Sequence, residues 1–569
     1  MAYSSVNNVE PGDSENSTVR TGSPAYLVTD MKLEADGDPT RFIATPEATS
    51  EKPPPDLEGS PLEIPLNNPG EPPPMSTGKL IIIMIGLCLG TFLAFVDITI
   101  VATALPIIGA QLRAFYEITW VTTSYLLTST ALRPLYGKFS DIFGRVPVIL
   151  FALVTFLVGC AICGAAQNIM MLIIARGLAG IGGAGLVSLS YIIISDMVPL
   201  DRRALFLGAF SAMFAIASIA GPLLGGVFAD YVSWRWVFYI NLPIGAVTLL
   251  VILFAIRMPY PKGSILNKLG KIDYLGTFLL VAGTTFVLLA ILWGGKDYPW
   301  NDKRIISFFC VGFALIILFI LAEMFIVAEP VVPMSLFRYR NIYISFTGVF
   351  FLGVAIMGTV FYLPIFFNVV HNDSATMAGV KLLPFMLSMV AGNFISAALI
   401  QKSGRCREIV WVGTVIATVG AGLLTTLSRD SSVGHEVGYT LIFGLGMGLY
   451  FQTMLMICQS TAEASEVAIV TACYNFFEAI GATLGLAIIS AIMNNVLTTR
   501  LALIPGLDLA ALSASPADIY TMDVSEETRS QFIDAYVKAI STALIPVIPM
   551  MGVTFLLSLA YKHIPLQSK

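Results

Sequence analysis

Charge is what this sequence has least of. Only 12% of its 569 residues are Asp, Glu, Lys or Arg, against a usual share of about 25% in soluble domains. The 56% hydrophobic content and mean hydropathy of +0.81 complete the contrast and exclude a soluble globular protein. Histidine is scarcer still. By sequence His371, His435 and His563, the three present, fall in loops or the C-terminal tail, which removes imidazole as a coupling group within the apolar segments. The seven cysteines lie mostly in apolar stretches, and Cys160 and Cys163 sit mid-helix, where neither a thiolate nor a metal is favoured. They read as packing residues, and no metal site is expected. No cluster of nucleophile, imidazole and carboxylate offers an enzyme's machinery.

The net charge of -5 points to no acidic partner and no nucleic acid. Residues 1–79 carry thirteen Asp/Glu against five Lys/Arg, a balance of -8, which leaves +3 for everything after them. That segment is rich in Pro, Ser and Glu, with proline runs at 53–55 and 72–74, so it lacks the apolar surface to order and reads as a disordered acidic tail. It also lacks the basic start and short apolar core of a cleavable signal peptide, so the first apolar segment is expected to direct insertion.

What is present is a repeated apolar segment of about 20 residues, the length of a helix that crosses the hydrocarbon core. Fourteen such spans are expected, beginning near Leu80, Thr119, Val146, Ile169, Ala204, Trp234, Asp273, Arg304, Tyr343, Thr376, Ile409, Val437, Val467 and Ile540. Lys138, Arg145, Arg202, Arg203, Lys268, Lys402, Arg405 and Arg407 then fall on the side of both termini, which the positive-inside rule makes cytosolic. The expected organisation is a tail at 1–79, a six-helix bundle at 80–257, a linker at 258–342 carrying two inserted helices, a second six-helix bundle at 343–561 with an outer loop at 494–537, and a short tail at 562–569. An internal echo supports duplication. AALIQKSGRCR at 397–407 follows the tenth span as GKFSDIFGR at 137–145 follows the second, with Gly404-Arg405 matching Gly144-Arg145 and Gln401 in place of Asp141.

GKFSDIFGR reads as a short charged loop bracketed by Gly137 and Gly144, with Asp141 and Arg145 spaced to pair or to cap helix ends. It resembles the signature loop between spans 2 and 3 of the major facilitator superfamily. Three further stretches are similar to the fourteen-span drug:proton antiporter branch of that superfamily: Asp97 to Pro106 in span 1, Ala217 to Gly226 in span 5, and Trp234 to Pro243 at span 6. The second holds the antiporter motif residues Gly221, Pro222, Gly225 and Gly226, a proline that removes a backbone hydrogen bond among glycines that admit close helix contact. The aromatics of the third are placed as interfacial anchors. Arg176 matches the arginine of the family's fourth-span motif, while Ala179 stands where that motif commonly has Gln. The resemblance implies an all-α membrane protein of the major facilitator fold, in which Gly137, Asp141, Gly144 and Arg145 latch the two halves. A match to the dinucleotide fingerprint at 180–185, GIGGAG, lies inside an apolar span with no preceding strand and reads as small-residue packing.

Ionisable groups inside a bilayer are costly enough to mark function. From helical rise, Asp97 and Arg176 fall in the outer half, roughly 7 Å apart in depth, and Glu478 falls near the midplane, while Arg133, Glu323 and Lys381 sit near enough to helix ends to snorkel. A carboxylate that gains and loses an arginine can load and release a proton, so Asp97 with Arg176 is the expected coupling pair and Glu478 the second carrier or a contact for cationic substrate. Phe361, Tyr362, Phe366, Met447, Tyr450, Phe451, Tyr474 and Phe477 are candidates to line an amphipathic pocket. The expected function is proton-coupled export of small amphipathic compounds by a monomer, with no cofactor beyond the proton gradient. The plasma membrane is the expected site, with the vacuolar membrane an alternative. A siderophore or basic amino-acid transporter of the same fold, or a non-transporting membrane sensor, remains an alternative.

Overall fold

The computed structural model describes residues 76–562 apart from 113–116, 118, 259–260, 262–263, 296–297, 328, 374, 505–518, 521 and 523. Of the expected tails at 1–79 and 562–569, residues 1–75 and 563–569, with His563, lie outside the described residues. Thirteen helices among the described residues are long and apolar enough to cross a membrane. They are span 1 (Thr77–Leu112), span 3 (Arg145–Gly164), span 4 (Ile169–Met197), span 5 (Leu200–Val227), span 6 (Trp236–Ala255), span 7 (Tyr274–Trp293), span 8 (Lys303–Phe325), span 9 (Arg340–His371), span 10 (Ala375–Ser403), span 11 (Cys406–Leu424), span 12 (Val433–Thr461), span 13 (Val467–Leu501) and span 14 (Glu526–Ser558). Span 2 completes fourteen as two shorter helices, Thr119–Ala131 and Arg133–Phe143, broken at Leu132, where Pro134 in the following turn supplies no N–H. The chain is an integral membrane protein.

Helix starts follow local chemistry. Side chains of Asn168, Asp273, Asp302, Ser432 and Ser525 accept a backbone N–H from the first turn of spans 4, 7, 8, 12 and 14. The last of these corrects the expectation of a fourteenth span from Ile540 and a loop over 494–537. Span 13 runs to Leu501, and span 14 begins at Glu526 with Phe532, Ile533 and Tyr536 buried. Its polar first turns hide it from a reading based on continuous hydropathy.

Duplication is visible in the packing. Span 1 lies on span 5, span 2 on span 4, span 3 on spans 4 and 6; eight positions on, span 9 lies on span 13, span 10 on span 12, span 11 on spans 12 and 14. Spans 7 and 8 pack on each other, and span 7 reaches spans 2 and 13. The two bundles meet through two exchanged pairs, span 5 with span 10 and span 2 with span 13. GKFSDIFGR is not a loop. Its residues up to Phe143 are helical, and the turn is Gly144 alone, at φ 95°, whose N–H is donated to Ser140 O at 3.0 Å. Gly404 repeats this cap at φ 65° with its N–H on Ile400 O at 2.8 Å. Both are left-handed positions that a Cβ would strain. The end of the bundles that carries Gly144 is called the latch end below.

Candidate functional site

Asp97, Arg176 and Asn241, from spans 1, 4 and 6, converge in the interior of the first bundle with no exposed surface. Arg176 Nη1 pairs with Asp97 Oδ2, and its Nε donates to Val121 O at 3.0 Å. Asn241 Nδ2 donates to Asp97 Oδ1 at 3.3 Å. The guanidinium also lies over the Tyr125 ring, 4.3 Å from its centroid, while Tyr125 Oη donates to Ala94 O at 3.2 Å. Two ions in low dielectric are tolerable only with such partners. The expected pair is therefore in contact, and three partners unforeseen in the sequence, Asn241, Tyr125 and Cys160, complete its shell. Asn241 stands within the Trp234–Pro243 motif but reads there only as part of a helix start. Trp234, expected as an interfacial anchor, is fully buried with Nε1 donating to Gln111 Oε1 at 2.8 Å; Trp236, 48% exposed, faces outward instead.

The antiporter motif brings span 5 against span 1. A Cβ on Gly221 would collide with Thr99 Oγ1 and one on Gly225 with Ile100 O, while Gly226 has open space. Pro222 lies within the helix, and six residues after it the chain enters a π-helical segment, Phe228–Val232. Gly221→Leu is expected to lower the unfolding free energy by about 1–3 kcal/mol, the usual cost of an overpacked helix contact. Gly226→Leu should leave it unchanged. Thermal melts of the two purified variants in detergent compare them.

At the latch end Arg145 pairs with Asp141, with Asp196 of span 4 at 2.7 Å, and with Ser140 Oγ at 2.6 Å, so this charge network closes within the first bundle. Contact with the second bundle runs through Gly137. A Cβ there would lie 2.9 Å from Ala472 Cβ and 3.2 Å from Ala468 O of span 13. A second bridge was invisible in the sequence. Arg203 of span 5 donates to Gln459 Oε1 at 3.1 Å, and Gln459 Nε2 donates to Ser195 Oγ of span 4 at 2.8 Å and to Thr471 Oγ1 at 2.9 Å. Lys138 Nζ pairs with Glu329 Oε2 at 2.8 Å in the segment after span 8, which holds the Glu329 carboxyl below its ordinary range. The echo at Arg405 has none of this; Gln401 and Arg405 are exposed.

Arg133, expected to snorkel, does not lie at a span end. It opens the second half of span 2, and its Nη1 donates across the bundles to Asn475 O of span 13 at 2.9 Å. Glu478, half-buried one turn further, lies within electrostatic reach of Arg133 and Tyr191 and has no hydrogen bond or ion pair among the described residues. Asn393 of span 10, Gln452 of span 12 and Asn475 of span 13 are buried with both side-chain polar atoms unpartnered, as is Arg133 Nε. By helical rise these groups stand roughly 12–17 Å from the latch end, near mid-membrane. Each unpaired buried group costs about 1–3 kcal/mol, so this level holds hydrogen-bonding capacity unused in this arrangement.

The aromatic candidates separate. Phe451 and Tyr474, joined by Tyr474 Oη donating to Phe451 O at 2.8 Å, and Phe477, stacked on Phe346 at 5.0 Å, belong to this level. Met447 and Tyr450 do not: Tyr450 Oη reaches the Met447 and Met551 sulfurs inside the second bundle, and these side chains fill its own core. Phe361 is 44% exposed, Tyr362 is buried, and Phe366 packs against Phe367 and His371 towards the end opposite the latch. Two other expectations change there and in the insert. His371 ends span 9 and His435 lies in the first turn of span 12, rather than in loops, and His371 pairs with buried Glu436. Glu323 does not snorkel; it is 5% exposed and accepts Val331 N–H at 3.1 Å.

Residues 87–486 match the profile described as the Major Facilitator Superfamily. The chain belongs to that family. It is 40% identical over 437 residues, 76% of its length and 81% of the relative's, to the MFS-type efflux pump MFS1 of Arthroderma benhamiae. It is 36% identical over 492 residues, 86% and 88% of the two chains, to the efflux pump bfoC of Aspergillus brasiliensis. In fold it is similar to the human organic anion transporter MFSD10, with a TM-score of 0.56 at 14% identity over 84% of this chain and 99% of that one. The expected efflux-type membrane transporter of this superfamily, rather than an enzyme, agrees with these likenesses.

Proposed function

We propose that this protein exports small amphipathic compounds from the cytosol across the plasma membrane in exchange for protons. Both termini are cytosolic in this reading, so the latch end faces the cytosol and the structure is closed on that side. The Asp97–Arg176 pair carries the proposal. Arg176 occupies the Asp97 carboxylate in the latch-closed arrangement, and a proton arriving on Asp97 would remove the charge that holds Arg176 and free it. The partners of that pair lie on spans 1, 2, 4 and 6, so its making and breaking changes how the first bundle packs. Export of organic compounds, rather than siderophore or amino-acid uptake, is favoured by relatives at 35–40% identity that are named as efflux pumps. Resistance and lowered accumulation across a chemical panel in a drug-sensitive host test it; accumulation raised by the protein would reverse the direction and end the export reading.

Substrate is placed against Arg133, Glu478, Asn475 and Gln452, the charged and unpaired groups at mid-membrane. Glu478→Gln removes one charge-assisted contact, and KM for cationic substrates should rise about tenfold, equivalent to about 1.4 kcal/mol, with the response to a pH gradient retained. Topology gives an independent check. Tags at Met1, at Lys569 and in the segment between spans 6 and 7 should resist external protease in intact cells, while one beside Val524, before span 14, should be cut. External cleavage at either terminus would remove the even span count on which the orientation rests.

A further inference from the structure

Beside the Asp97–Arg176 pair, one end of the Asn241 amide is unused. Its Nδ2 donates to Asp97 Oδ1 at 3.3 Å and to Cys160 Sγ at 3.5 Å, while its Oδ1, in a residue with no exposed surface, has no hydrogen-bond partner among the described residues. An ionised carboxylate only accepts, so the donating end of the amide must face it. Protonation reverses that demand at one oxygen, because the acid gains an O–H that needs an acceptor in a site without water to supply one. Two carbonyls at the pair already carry donors, Val121 O from Arg176 Nε and Ala94 O from Tyr125 Oη. Cys160 Sγ, 4.0 Å from Asp97 Oδ1, is a weak acceptor. We infer that Asn241 is a positioning residue for proton coupling: it donates through Nδ2 to ionised Asp97 and, after its amide turns over, accepts through Oδ1 from protonated Asp97.

The turn exchanges two atoms of nearly equal size, so it asks for no new room in a buried site, and the terminal torsion of an Asn side chain is broad and roughly two-fold. An amide carries donor and acceptor at equivalent positions, so one residue serves both states. An apolar side chain there would leave a carboxylate short of a donor in one state and an O–H short of an acceptor in the other. Asn241 opens the helix Asn241–Ala255, which follows the separate turn Trp236–Tyr239, so the amide stands where span 6 is already interrupted. The other titratable groups facing Asp97 are Arg176 from span 4, Tyr125 from span 2 and Cys160 and Cys163 from span 3, with Arg133 further along span 2. Span 5 carries none from Ala204 to Val227. Arg176 can only donate, and Tyr125 Oη is turned to Ala94 O. With the proton on Oδ1 the carboxyl is neutral, and Arg176 loses the charge that held it at Oδ2. This role rests on the coupling proposed for Asp97.

Infrared difference spectra of the purified full chain in lipid, taken between alkaline and acid pH, read the hydrogen bonding of the acid directly. The wild type should show the C=O stretch of a protonated carboxyl that is missing from Asp97→Asn. In Asn241→Leu, which has neither donor nor acceptor, this band should move to higher wavenumber, as expected of an acid deprived of its partner. Gradient-driven export by that variant in proteoliposomes should fall about tenfold in maximal rate, equivalent to about 1.4 kcal/mol, with KM for substrate unchanged. Asn241→Gln, which keeps both ends of the amide, should hold the band near its wild-type position and recover much of the rate. Asn241→Val is the second loss variant, used if the leucine does not fold, and should move the band likewise. Absence of any band that depends on Asp97 would sink the coupling reading and this role with it. A band that depends on Asp97 but stays in place in the folded Leu or Val variant would overturn the role of Asn241 alone and leave the coupling reading standing.

Discussion

Asp97→Asn is expected to abolish the acceleration of export by an imposed pH gradient while substrate exchange without a gradient persists. The amide keeps the shape of the carboxyl and its contact with Asn241, but it cannot carry the coupled proton. Its cost in stability is also calculable in sign. Arg176, with no exposed surface, is left without a counter-ion, a loss of about 3–5 kcal/mol when one partner of a buried pair is removed. Pairing the change with Arg176→Gln should recover folded yield without recovering the gradient response, which separates coupling from folding. The measurement is efflux from proteoliposomes at fixed substrate with the gradient varied. If Asp97→Asn still accelerates while Glu478→Gln does not, Asp97 is a structural ion-pair partner and coupling passes to Glu478.

The second large effect belongs to the latch, where two substitutions act by different physics. Gly137→Leu drives a side chain into Ala472 and the backbone of Ala468 and Ile469, so the two bundles cannot close at this end. Export should fall below about a tenth of wild type, since a destabilisation of a closed state by about 1.4 kcal/mol already shifts its population tenfold. Asp141→Asn leaves Arg145 with Asp196 and Ser140, so the network loosens without collapsing, and export should drop several-fold at normal surface expression. Cysteine cross-linking between positions 137 and 472 reports closure directly. Wild-type export by Gly137→Leu would mean that closure at this contact is not part of the cycle.

Much of this protein was determined by its sequence alone, because the bilayer imposes a one-dimensional rule. Every backbone group must be satisfied within a helix, so a run of about 20 apolar residues announces its own structure. The fourteen spans, the duplicated halves, the small-residue character of 180–185 and the pairing of Asp97 with Arg176 followed from spacing, depth and resemblance. What spacing does not contain is which face of one helix meets which face of another. Span 14 began earlier than hydropathy indicated because a polar, amphipathic turn buries only one side. Arg133 looked like a snorkelling end residue, yet the break at Leu132 sets it in mid-span against Asn475. The Arg203–Gln459–Ser195 bridge joins residues more than 250 positions apart, a separation across which no local pattern speaks. Met447 and Tyr450 share composition with Phe451 and Tyr474, but the rotation of span 12 buries the first two in the second bundle. Helix identity is local chemistry. Helix facing is decided by packing, and only the tertiary structure could set it.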